Sequence, residues 1–168
     1  MSGTTTNYGL RYPTSGDNVS PLETHFSNLA ADVDVSLPLT YGADMTGGAL
    51  TLSTSEQDCP SATVTFTTAG TSAVAIVHGT WDMEVPTASG TTTNLGLVSV
   101  DDVTETKQAL FRGLANNDRA TVSNTWRVTL SAGDHTIKLR AEKTGAGGTM
   151  TCNDVHTGIV VTVYDSAA

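Results

Sequence analysis

Two hydrophobic rhythms divide the chain. In the first forty residues apolar side chains recur at helical spacing: Leu22, Phe26, Leu29 and Val33 follow at steps of four, three and four, with Asn28, Asp32 and Asp34 on other faces. The spacing predicts one helix over residues 20–37 carrying a narrow apolar seam. Ser20 can cap its free N–H groups, Pro21 takes the first helical position where a missing N–H costs nothing, and Glu23 completes a capping box. Pro38 ends it. A helix of about sixteen residues is marginal alone, so the seam needs a surface: copies of itself, a larger assembly or, in the plainer alternative, the chain's own β domain.

From residue 61 the period is two. Ala62, Val64 and Phe66 alternate with Thr63, Thr65 and Thr67, and residues 73–85 hold Val74, Ile76, Trp81 and Met83. Further strands are predicted at about 93–100, 107–115, 120–130, 134–142, 149–153 and 158–164, with turns at Ser89-Gly90, Asn116-Asn117-Asp118, Ala132-Gly133-Asp134 and Gly145-Ala146-Gly147-Gly148. Short strands at this spacing imply an antiparallel β-sandwich, and abundant Thr suits the wet face of a sheet. The expected core is Val64, Phe66, Ile76, Leu97, Leu110, Val128, Leu130, Ile137, Leu139, Ile159, Val161 and Val163; Trp126 can be core or rim. Between the two rhythms Gly47-Gly48 marks a turn, and Leu50 and Leu52 sit at strand spacing. The reading is mainly β: a helical anchor (1–40), a connector (41–60) and a β head (61–168).

Charge narrows the choice of partner. The net charge is −9 with only eight Lys and Arg, which removes the source of attraction to nucleic acid or an anionic membrane surface. No apolar run is long enough for a membrane span, and Met1 to Thr6 lack the pattern of a signal peptide, so synthesis in the cytoplasm is expected. Cys59 and Cys152 make no CxxC motif. They could pair between the start and the end of the head, but free thiols are the expectation, because those positions are not obviously close in a sandwich.

Catalysis finds little footing. His25 lies at the edge of the seam, and His78, His135 and His156 are scattered without HxxxH or HExxH spacing. A GxSxG elbow and a P-loop are both missing, and the Gly145–Gly148 run precedes a strand rather than a helix. Asp101-Asp102, and Asp82 with Glu84, could form carboxylate pairs for glycoside chemistry or Ca²⁺, but in so acidic a chain they read first as solvated faces. The expectation is a protein that is no enzyme and needs no cofactor or metal.

Three segments carry resemblances. Asn7-Tyr8-Gly9-Leu10-Arg11-Tyr12-Pro13, followed by Phe26 to Asp34, resembles the N-terminal segments of tail-associated and head-decorating proteins of bacteriophages, especially those of actinobacteria. Asp44 to Leu52 is similar to the M-x-G-x-L-x-L connector of phage fibres. Trp126 to Arg140, with Ala132-Gly133-Asp134-His135-Thr136-Ile137, resembles the hairpin of trimeric jelly-roll heads related to the complement globular head and the tumour-necrosis-factor fold. These resemblances imply a jelly-roll head on a virion surface, as a homotrimer attached to major capsid or tail proteins. They assign anchoring to Tyr8, Leu10, Tyr12 and Pro13, and self-association to Leu22, Phe26, Leu29 and Val33. The chain has no long shaft, which favours capsid decoration or a minor tail protein over a long fibre. The alternatives are a receptor-binding adhesin for host cell-surface glycan and a free carbohydrate-binding module. With two Trp and four Tyr, the chain is thinly supplied for a sugar-stacking platform.

Overall fold

The computed structural model describes residues 2–4, 11–13, 24, 26–30, 33, 37–88, 92–145 and 147–165, the first two stretches as backbone. Ser2–Thr4 (β1) and Arg11–Pro13 (β2) pair antiparallel in a two-stranded sheet of their own. Thr24, Phe26 to Ala30 and Val33 are helical, within the predicted helix.

The remaining strands are β3 (Leu39–Asp44), β4 (Leu50–Thr51), β5 (Gln57–Thr68), β6 (Ala73–Thr87), β7 (Thr93–Val100), β8 (Val103–Thr104), β9 (Ala109–Phe111), β10 (Asp118–Leu130), β11 (Gly133–Thr144) and β12 (Thr149–Tyr164). They form two antiparallel sheets, as the alternation predicts. The first runs β10-β6-β12-β3, with β4 also on β12; the second runs β5-β11-β7-β8, with β9 also on β7. From β5 onward each connection crosses to the other sheet except within β7, β8 and β9, which is the winding of a jelly roll.

Residues 41–60, expected as a connector, are woven into the sandwich. They supply most of β3, all of β4 and the start of β5. Met45 and Leu52 are buried in the core, tied by Met45 N–H to the Thr157 carbonyl (2.9 Å) and Leu52 N–H to the Met150 carbonyl (2.8 Å). The stretches 149–153 and 158–164 are one strand, β12, whose pairing with β6 shifts between Asn153 and Gly158. Within 107–115 only Ala109–Phe111 is strand.

Most of the expected core is buried, including Val64, Phe66, Val128, Leu130, Ile137, Leu139, Ile159, Val161 and Val163, and Trp126 joins it. Two positions differ. Ile76 faces outward on β6, where Ala75, Val77, Trp81, Met83 and Val85 point inward, and Leu110 is 61% exposed. Strand β6 is apolar at both parities, so period alone cannot orient it. The bulk of Trp81 decides. Its ring is fully buried and takes the space where a Cβ at Gly79 or Gly96 would stand, within 2.5 Å at either. Gly79 precedes it on β6 and Gly96 faces it from β7, so two glycines in opposite sheets make the slot for one indole. The indole N–H donates to the Arg140 carbonyl (3.0 Å), at the point where the β5–β11 ladder breaks register. Trp126 meets Trp81 edge-on at 5.8 Å, a contact worth about 0.5–1.5 kcal/mol beyond burial.

Candidate functional site

Inward parity on β6 and β12 leaves the alternate residues on the open side of the first sheet. Register places Tyr164 beside Val74, Thr162 beside Ile76 and Val160 beside His78. Ile76 in turn lies opposite Arg127 of β10, and Val160 opposite Gly42 of β3. Val160 and Tyr164 are 46% and 51% exposed, with Val74 and Ile76 half-buried between them. The result is an apolar strip in a field of threonines, running across the middle of the sheet.

Toward Asp44 the strip opens into a concavity of about 750 Å³, lined by Asp44, His78, Thr80, Thr121, His156 and Val160 among others. The register break in β12 builds its wall. Buried Thr157 pins that break: its hydroxyl accepts from the Asp82 N–H (3.0 Å) and donates to the Asn153 carbonyl (2.5 Å). The buried Asp82 carboxylate is gripped by both arms of the Arg119 guanidinium, Nε at 2.8 Å, and Asn153 donates to Glu84 at 3.0 Å. Asp82 and Glu84 are thus taken up in bracing the wall.

The open side of the second sheet is built of charge. Arg140 donates to Asp58 (2.7 Å) and Glu56 (3.2 Å), and Lys138 donates to Asp102 (2.8 Å). Asp101 and Asp102 both have positive φ, 51° and 66°, and form the two-residue turn between β7 and β8. The Asp101 carboxylate accepts from Thr136 N–H (2.8 Å) and from His135 Nδ1 (2.8 Å), while His135 Nε2 lies 2.9 Å from the Ser131 carbonyl. Both ring nitrogens therefore face acceptors, which favours the imidazolium. Burial opposes that charge, but Asp101 and Ser131 outweigh it and hold the His135 pKa above its ordinary value. Burial likewise works against the Asp101 carboxylate, and the Thr136 N–H and His135 overcome it, so its pKa lies below the usual range. These carboxylates fasten a turn. Among the described residues no three of His, Cys, Asp and Glu gather as a metal site would require.

Of the residues assigned by resemblance, Tyr8, Leu10 and Leu22 lie outside the described residues, and Tyr12 and Pro13 belong to β2. Phe26, Leu29 and Val33 are 62%, 38% and 36% exposed. The apolar strip on the first sheet was missed in the sequence because Ile76 read as core and Val160 was given no face. The signal that could have found it is the parity imposed by Trp81 and Met83.

No protein-family model matches the chain, and no curated protein matches it. Among solved structures it is similar to the Eiger TNF of S. frugiperda (14% identity over 75% of this chain and 92% of that one, TM-score 0.47). Murine APRIL (9%, 74% and 98%, 0.45) and VP2 of the infectious bursal disease virus subviral particle (12%, 77% and 33%, 0.47) are also similar. Likenesses of this size carry no functional inference.

Proposed function

We propose that this chain is a non-enzymatic structural protein of a virion surface, held to capsid or tail by residues 1–40 and projecting its β-sandwich as a homotrimer. The observation that carries the reading is the apolar strip of Val74, Ile76, Val160 and Tyr164 on the open side of the first sheet. Exposed contiguous apolar surface on a small protein marks a place where another surface docks. A helix whose seam residues Phe26, Leu29 and Val33 stay exposed on the single chain supports a second contact outside it. Placement on a phage particle rests on the resemblance of the N-terminal and connector segments. A receptor- or glycan-binding role is the second reading, favoured by the open concavity beside the strip.

Fusing residues 1–40 to a fluorescent protein, and separately deleting them, tests the assignment on particles lacking the native protein. The fusion should co-sediment with the particles and the deletion should not. Retention of the deleted form at native copy number would move attachment to the head and end this reading.

A further inference from the structure

Each sheet of the sandwich has one large irregularity, and the two face each other across the core. In the second sheet β5 breaks register between Thr63, opposite Lys138, and Asp58, opposite Arg140, so that four residues, Cys59 to Ala62, stand against one of β11. In the first sheet β12 breaks between Asn153 and Gly158, starting one residue beyond Cys152. Neighbouring residues of one chain segment tie the two together: Met45 N–H bonds the Thr157 carbonyl at 2.9 Å and Thr46 N–H bonds the Pro60 carbonyl at 3.0 Å. Cys59 and Cys152 are buried, free and members of one core cluster: Cys59 adjoins Pro60, whose carbonyl Thr46 bonds, and Cys152 Sγ lies 3.3 Å from the hydroxyl of Thr157, whose carbonyl Met45 bonds. Two thiols brought from opposite sheets to one place in the core, Cys59 within the β5 break and Cys152 one residue before the β12 break begins, have the local slack a bridge needs.

We infer that Cys59 and Cys152 form a reversible cross-sheet disulfide, an oxidised state of the same fold in which a single covalent bond joins the two sheets. The inference stands independently of where the protein is mounted. The oxidant is a small disulfide of the glutathione class. Cys152 is the attacking thiol, because the strand that covers it, β4, is only two residues long, whereas Cys59 lies within the long strand β5 and its thiol is pushed up by Cys152 and by burial. In a locally opened form, with the two-residue strand β4 parted from Cys152, the Cys152 thiolate attacks one glutathione sulfur and releases one glutathione thiol. Cys59 then gives up its proton and attacks the Cys152 sulfur of the mixed disulfide. The Sγ–Sγ bond forms and the second glutathione leaves. Two electrons pass to the glutathione disulfide, and the two cysteine protons end on the two glutathione thiols.

The bond closes a loop of roughly ninety residues, long enough for a large restriction of the unfolded chain. The test is made on the full chain, incubated with excess glutathione disulfide as the native protein and also after unfolding and refolding. Thiols are then alkylated under denaturing conditions and peptides mapped. The expected result is loss of alkylation at both cysteines, a linked peptide containing Cys59 and Cys152, and a thermal midpoint raised on the order of 10 °C that dithiothreitol reverses. Cys152→Ala should fold with a midpoint near that of the reduced protein and gain nothing from the oxidant. If that variant fails to fold, the peptide map of the unaltered chain still decides. Two alkylated cysteines after both treatments, glutathione adducts alone, links between chains, or a bridge that lowers the midpoint would each overturn the inference.

Discussion

On the open side of β11, Lys138 and Arg140 stand among Glu56, Asp58 and Asp102; on the open side of β6 and β12, Ile76, Val160 and Tyr164 stand among threonines. The chain has only eight Lys and Arg against seventeen Asp and Glu, so spending two cations on one face matters. The charged face satisfies itself, and burying it against a partner would mean dehydrating a network that already has its bonds. The apolar strip has no such cost, although Arg127 lies opposite Ile76 at its margin. Two faces with the same strand geometry are thus fitted for opposite fates, one for water and one for contact.

The largest effect comes from breaking what both faces share. Gly96→Ala would drive a methyl group to 2.5 Å from the Trp81 ring, and Trp81 holds the two sheets at their spacing. The expected cost is about 3 kcal/mol, read as a fall of roughly 10 °C in thermal midpoint by calorimetry. An unchanged midpoint would mean the indole can leave its slot freely. Next, Val160→Asp places a carboxylate in the strip. Light scattering should show self-association weakened at least about tenfold with the fold intact, since exposed sites move stability little. Self-association undiminished in this variant would assign the contact to another surface.

Arg140→Ala sharpens the other half of the comparison. It should cost about 1 kcal/mol in denaturant unfolding, partly through lost packing of its stem, and leave the oligomeric state untouched. Loss of assembly in this variant would erase the distinction between the faces. The smallest effect is a pH dependence set by the His135–Asp101 pair. His135 has a raised folded pKa, so its contribution is complete below the ordinary value near 6.5 and is lost as pH rises through the folded value. Asp101 has a lowered one, so its contribution is present above 3.8 and is lost as pH falls through the folded value. The midpoint should therefore decline as pH rises above His135's ordinary value near 6.5, and His135→Gln should flatten that limb. A parallel decline in the variant would place its origin elsewhere.

The sandwich itself was legible wherever alternation was strict, as in Ala62-Val64-Phe66 and Ile159-Val161-Val163, because polar partners on the wet face leave one choice of parity. It was illegible along β6, where Val74 and Ile76 compete with Val77, and in Leu110, which sits on a three-residue strand too short for its burial to follow from period. The continuity of β12 through its break was hidden because 149–153 and 158–164 read as separate strands, while Thr157 holds the break by side-chain bonds that no local pattern announces. The acidic pairs were readable as residues and unreadable in role: which cation meets Asp82 or Asp102 is settled by strands far apart in the chain.

One consequence follows from Leu39 lying opposite Val163 in the first sheet. The head begins and ends on neighbouring strands at one edge, so its backbone forms an almost closed ring. A short linker from Tyr164 to Leu39, with new ends opened at the Asn116-Asn117 turn between β9 and β10, would preserve all ladders of the sandwich. The same adjacency lets the whole sandwich be spliced into a surface loop of an unrelated protein as a cassette, entering and leaving through a single point.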